Sequence, residues 1–204
     1  MVTVRVPATT ANLGPGFDTL GLALALYNTL TFEELAEGLY FEGVDPEYAT
    51  AENLAVVAYK AVLSKLGLPM PGLRISVQAE IPICRGLGSS AALIAAGAAG
   101  ANANHGSPLT RAELLAVCND IEGHPDNLAP AIFGGLVASF VENERPYIAR
   151  YSLHKRLRCT ALIPDFQLST HLARGVLPKE VPYGDAIFNV SRTAVLLRAL
   201  EEGD

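Results

Sequence analysis

The sequence predicts an α+β chain, and three observations carry that expectation. Short alternating stretches, such as Leu73-Arg-Ile-Ser-Val-Gln-Ala-Glu-Ile81, read as half-buried strands. Other stretches carry apolar residues at three- and four-residue spacing, the stripe of an amphipathic helix. A glycine-rich turn, Pro82-Ile-Cys-Arg-Gly86-Leu-Gly88-Ser89-Ser90-Ala91-Ala92, joins one strand to a run of helix-forming alanines.

Taken in order, residues 2–8 alternate and predict a strand. Residues 9–21 hold Asn12, Gly14, Pro15, Gly16 and Asp18 and predict a turn-rich loop. That loop is longer than a turn between strands needs, so it reads as either a plain connection or a binding loop. Residues 22–35 predict a strand, with a short return around Tyr40–Val44. Residues 51–66 predict a helix closed by Gly67 and Pro69. After the glycine-rich turn, a small-residue helix is expected to run to about Ala103. Thr110-Arg-Ala-Glu113 is a capping box that opens another helix, which Gly123 ends. Residues 136–142 and 147–153 read as a hairpin, and residues 157–164 as a further strand. Ser169–Leu177 predicts a helical turn. Asp185–Glu202 predicts a last helix with Ile187, Val190, Ala194, Leu197 and Leu200 on one face.

Composition narrows the class. The chain has 204 residues, of which half are hydrophobic and 18% charged, so a packed core is expected. The net charge of −6 argues against nucleic-acid binding, but local dipoles can still hold phosphate. Three cysteines, Cys84, Cys118 and Cys159, are widely spaced with no CxxC, which suggests a reducing cytoplasm and no metal cluster. The opening Met-Val-Thr-Val-Arg-Val is too alternating for a signal peptide, and no stretch reads as a membrane span.

The glycine-rich turn carries the chemistry. Gly86 and Gly88 can adopt positive φ and let backbone N–H groups approach a ligand. The first N–H groups of a helix are unpaired and sit at the positive end of its dipole, an anion site suited to phosphate. Ser89 and Ser90 add hydroxyls suited to a phosphate oxygen or a Mg²⁺ ion. Gly86-Leu-Gly88-Ser-Ser-Ala91 fits the dinucleotide pattern formally. However, no acid occurs between Glu80 and Glu113 to meet a ribose. A Walker loop needs a lysine, and none lies between Lys65 and Lys155. A serine N-cap on a buried helix is the bland alternative for a shorter motif.

The pattern Pro82-x-x-x-Gly86-Leu-Gly-Ser-Ser-Ala-Ala92 resembles the phosphate loop of the GHMP small-molecule kinases. Three further stretches resemble the homoserine-phosphorylating branch of that family. They are Pro7-Ala-Thr-Thr-Ala-Asn12-Leu-Gly-Pro-Gly-Phe-Asp18-Thr-Leu-Gly21, Glu122-Gly-His-Pro-Asp126-Asn127-Leu-Ala-Pro-Ala-Ile-Phe-Gly-Gly135 and Ser169-Thr170-His-Leu-Ala-Arg174-Gly-Val-Leu-Pro178. All four stand in the family's order and span most of the chain. The resemblance implies a two-domain GHMP-kinase-like fold: a first domain like domain 2 of ribosomal protein S5, then the start of a ferredoxin-like domain. A boundary near Ser152–Leu157 divides the chain into residues 1–154, the ATP-binding domain, and residues 155–204, the opening of a second domain expected to continue further in the family.

The resemblance also implies roles. Residues Pro82, Ile83, Cys84, Arg85, Gly86, Leu87, Gly88, Ser89, Ser90, Ala91 and Ala92 would hold ATP, chiefly through backbone N–H groups. Ser90 and Glu122 would bind Mg²⁺, a hard ion served by oxygen ligands. Asp126 would accept the substrate hydroxyl proton, or Asn127 would simply orient that hydroxyl without a true base. The acceptor would be L-homoserine, converted to O-phospho-L-homoserine in threonine biosynthesis. Asn12 and Asp18 would meet its ammonium, and Arg174, with Thr170, its carboxylate. Mevalonate is the runner-up acceptor, and a non-catalytic ATP-binding module is the reading from another class. Neither nucleic acid nor membrane is an expected partner, and a homodimer is compatible with the family.

Overall fold

The computed structural model describes residues 1–163, 165 and 170–204, with backbone alone for Thr170, His171 and Leu172. Its centre is one long strand, β2 (Leu20–Leu35). β1 (Val2–Ala11) pairs antiparallel along one edge of β2. The other edge is shared by two strands. β5 (Leu136–Glu142) takes Leu20–Leu22, and β4 (Gly72–Ala79) takes Asn28–Leu35. β3 (Leu39–Glu42) adds to β4 in parallel, and β6 (Arg145–Tyr151) to β5 as a hairpin, completing a six-stranded mixed sheet. The hairpin turns on Asn143 and Glu144, both at positive φ, as a tight two-residue turn requires. That turn starts β6 two residues before the expected position.

Four helices build the core with this sheet. They are α1 (Leu54–Lys65), α2 (Ser89–Asn104), α3 (Arg111–Glu122) and the short α4 (Leu128–Phe133). Asn53 caps α1 by accepting from the N–H of Ala55, so α1 begins three residues later than its periodicity alone suggests. The capping box at Thr110 forms as expected, and Gly123, at φ 86°, closes α3. The core mixes aliphatic and aromatic side chains: Leu30, Phe32, Leu73 and Ile75 of the sheet meet Tyr59, Val62 and Leu63 of α1 and Ile94 of α2.

α2 lies deepest. A Cβ on Gly97 would come within 2.1 Å of the Ala55 carbonyl oxygen, and one on Gly100 within 2.5 Å of the Phe32 ring. Small residues here let backbone approach backbone and ring, and the helix that leaves the glycine-rich turn is thereby fixed to both α1 and the sheet.

Three expectations change. The loop after β1 is shorter than residues 9–21, because Thr9–Ala11 still pair with Gly21–Ala23. Residues 157–163 form no strand, and Pro164 lies outside the described residues. α6 (Tyr183–Glu202) forms, yet none of its residues is buried: Val190 is 74% exposed, so the apolar face covers little. The helix touches the body where the Thr193 hydroxyl donates to the Pro15 carbonyl at 3.1 Å and where the Leu200 carbonyl accepts from the N–H of His154. Before it, α5 (Thr170–Gly175) supplies Arg174; Ser169 lies outside the described residues.

No described helix is long and apolar enough to cross a membrane. Cys84 and Cys159 are exposed free thiols, while burial pushes the Cys118 thiol up to about 12.

Candidate active site

The glycine-rich turn is anchored at both ends. The side-chain oxygen of buried Asn28 accepts from the N–H groups of Glu80 and Ile81, each at 2.9 Å. The carbonyl of Leu87 accepts from the Thr9 N–H at 3.1 Å. Between them Cys84, Gly86 and Gly88 all take positive φ, at 55°, 72° and 66°. Cys84 is the costly one, since a side chain there is strained; such strain persists where surrounding structure enforces it. Gly88 caps α2 with no side-chain hydrogen bond, and the first helical bond is Ala92 N–H to the Gly88 carbonyl. The N–H groups of Ser89, Ser90 and Ala91 therefore have no helical partner and point from a dipole's positive end. Leu87, Ala91 and Ala92 bury their side chains in the core, so only their backbone serves the site. Pro82, Ile83 and Arg85 line the turn; Arg85 reaches the Asp165 carbonyl at 3.0 Å, and its Nη1 is buried without a partner among the described residues.

Ser90 and Glu122 converge across 32 positions of sequence. The Ser90 hydroxyl donates to Glu122 Oε1 at 2.5 Å. Glu122 is the last residue of α3, aimed at the first turn of α2. Among the described residues no cluster of three or more His, Cys, Asp and Glu side chains could hold a metal. A hydroxyl and one carboxylate nonetheless form an all-oxygen donor pair. That suits Mg²⁺, which takes few protein ligands and completes its shell with water and substrate phosphate.

Between α3 and α4 the loop folds on its own carboxylate. Asp126 is 1% exposed, and its Oδ1 accepts from the Asn127 N–H at 2.9 Å and pairs with His124 Nδ1 at 2.8 Å. The hydrogen bond that Asp126 accepts from His124 raises the His124 pKa above its ordinary value against the opposing effect of burial. Asn127 Oδ1 accepts from the hydroxyl of Thr9 at 2.9 Å. β2 passes close beneath: a Cβ on Gly21 would lie 1.8 Å from the Asp126 carbonyl oxygen.

The third corner lies in the loop after β1. Asn12, Leu13 and Asp18 take positive φ, at 72°, 42° and 53°. The Asn12 side-chain oxygen accepts from the Asp18 N–H at 2.9 Å and closes the loop. Asp18 then grips Arg174 from 156 positions away, with Arg174 Nη1 donating to Oδ2 at 2.9 Å and Nη2 to Oδ1. The Arg174 guanidinium also lies 5.6 Å from the centre of the Phe17 ring, and its Nε is buried without a partner among the described residues. Asp18 and Arg174 thus form a single bidentate ion pair, and the Asn12 oxygen is engaged within the loop. The side chain of Thr170 lies outside the described residues.

Two residues in contact with this constellation escape sequence reasoning. Thr9 reads as one small residue of a turn-rich stretch, but it is fully buried in β1 and bonded to Asn127. His124 stands in the Glu122–Gly135 motif with no role assigned to it there, and it is the partner of Asp126. The signal for both was present, since each falls within a motif already quoted.

Comparison with known proteins identifies the family and the fold. Residues 53–135 match the GHMP kinases N terminal domain. A homoserine kinase of Clostridium botulinum is 48% identical over all 204 residues of this chain, which span 69% of that relative's length. A Listeria monocytogenes protein, solved as a candidate homoserine kinase, superposes with a TM-score of 0.80 at 32% identity, covering 99% of this chain and 70% of that one. The homoserine kinase of Cytophaga hutchinsonii gives the same TM-score at 25% identity, covering 99% and 68%. A Methanococcus jannaschii mevalonate kinase shares only the fold, at 17% identity and a TM-score of 0.58 over 74% of this chain and 56% of its own. This chain belongs to the GHMP kinase family, in the homoserine kinase branch.

Proposed function

We propose that the protein transfers the γ-phosphoryl group of ATP to the side-chain hydroxyl of L-homoserine, giving O-phospho-L-homoserine and ADP in the cytoplasm as a step of threonine biosynthesis. The observation that carries this reading is convergence. Four sequence stretches meet as Ser90–Glu122, Thr9–Asn127, His124–Asp126 and Asp18–Arg174 around one open helix terminus.

Phosphoryl transfer needs position and charge neutralisation more than covalent help. Backbone N–H groups from Gly86 to Ala91 hold the phosphates, since that of Ala92 is already bonded to the Gly88 carbonyl. Ser90 and Glu122 would hold Mg²⁺, which when bound neutralises charge on the transferring group. Asp126 has an oxygen committed to two donors and is closed to solvent, which favours the orienting reading over a general base. Asn127 then sets the acceptor hydroxyl in line.

The ion pair explains a preference for a zwitterion. Homoserine brings an ammonium for Asp18 and a carboxylate for Arg174, so one internal pair is exchanged for two and no charge is left unpaired. Mevalonate has a carboxylate but no ammonium, and would strand Asp18. The same reading keeps the division near Ser152–Leu157.

The test is ADP release measured with homoserine, mevalonate or no acceptor, at rising Mg²⁺. Release that depends on homoserine and on Mg²⁺ is expected. Equal release with mevalonate, or no dependence on any acceptor, would overturn the assignment.

A further inference from the structure

We infer that Thr9 is a positioning residue that holds the Asn127 carboxamide in its working orientation and couples it to the nucleotide loop. This rests on the site reading above, in which Asn127 orients the acceptor hydroxyl.

The geometry originates in β1. Its pairing with β2 shifts between Pro7 and Thr9, so that Pro7 faces Tyr27 while Thr9 faces Ala23. Such an irregularity re-aims the next side chain. Thr9 is thereby turned into the interior, fully buried, where a hydroxyl must find a partner. Its Oγ1 donates to Asn127 Oδ1 at 2.9 Å, and its N–H donates to the Leu87 carbonyl at 3.1 Å.

The third contact comes from Gly88. A Cβ there would stand 2.1 Å from Thr9 Oγ1 and 3.1 Å from Asn127 Oδ1. The turn that faces phosphate, the residue that faces the acceptor and Thr9 are thus packed to contact. With Oδ1 engaged by Thr9, the Asn127 NH₂ is directed away from it, so Asn127 presents donors to an acceptor oxygen and does not act as a base.

A double-mutant cycle on the full chain tests this. Thr9→Val keeps the shape and removes the hydroxyl. It is expected to lower kcat roughly tenfold, the scale of one buried hydrogen bond, with the KM for ATP unchanged. Thr9→Ser should restore most of kcat. In an Asn127→Ala background, Thr9→Val should have no further effect on kcat. The Asn127 side-chain amide NMR signal, identified by its loss in Asn127→Ala, should move in Thr9→Val and return in Thr9→Ser; this readout needs no turnover. If Asn127→Ala retains full kcat, the site reading fails whatever Thr9 does. If Asn127→Ala is impaired while Thr9→Val is not, or if Thr9→Val loses the same factor in both backgrounds, the positioning role is wrong. An Asn127 signal unmoved in Thr9→Val would overturn it equally.

Discussion

The proposed nucleotide end and the proposed acceptor end of this site are built on opposite plans. The nucleotide end is contiguous: residues 82–92 supply a strained turn and a helix start, and the useful groups are backbone N–H. The acceptor end is assembled from side chains, and its central contact joins Asp18 to Arg174 across 156 positions. A backbone site depends on glycine conformation and on what the turn rests against. A side-chain site depends on two charges, each of which needs the other. Substitutions should therefore fail differently at the two ends.

The largest expected effect is at the nucleotide end. Gly88→Val adds a branched side chain at φ 66°, on a position whose Cβ would stand 2.1 Å from Thr9 Oγ1. ATP affinity should fall roughly a hundredfold or more, as for the loss of two charge-assisted hydrogen bonds. Overpacking should also cost about 1–3 kcal/mol of stability. Calorimetry with ATP and a melting curve measure both. Unchanged ATP affinity would move the phosphate site elsewhere.

At the acceptor end the effect should be smaller and coupled. Arg174→Ala should raise the homoserine KM roughly 10- to 150-fold, the cost of removing a charged partner. Asp18→Asn should act similarly, because each charge is the other's partner before substrate arrives. The double variant should then lose less than the product of the two single losses. Losses that simply multiply would show two independent ends, and the ion pair would have no part in recognition.

The smallest effect tests the loop that joins the ends. The His124 pKa is raised in the folded state by Asp126. The protonated imidazole therefore stabilises the fold fully below its ordinary value of 6.5, and that contribution disappears as pH rises through the raised value. Urea unfolding of wild type and His124→Gln should differ by about 1 kcal/mol at acidic pH, a hydrogen bond's worth, and the gap should shrink toward pH 8. A gap constant with pH would mean that the contact does not depend on charge.

The same contrast explains what was legible in the sequence. The turn at Gly86–Ala92 and the capping box at Thr110 are local, so spacing alone reveals them. Alternation also revealed β2 and β4, because one face of each is buried. The strand expected at 157–164 failed for the converse reason: apolar residues predict burial, but pairing needs a neighbour that alternation cannot name. α4 was missed because six residues containing Pro130 have no readable period. The Asp18–Arg174 pair was beyond reach for a different reason. Each residue suited a substrate charge, and nothing in their spacing shows that the fold brings them within reach of each other.

α2 carries a last consequence. Eight of its sixteen residues are alanine and two are glycine. Alanine and glycine side chains have no rotamers to lose, so burying this helix freezes little side-chain entropy compared with one built from leucine or methionine. Its packing against the Ala55 carbonyl and the Phe32 ring is backbone-close and leaves few alternative arrangements. The N–H groups at its start are therefore held in place by the fold itself. On the proposed function, ATP would meet them already ordered, and more of each hydrogen bond would appear as affinity.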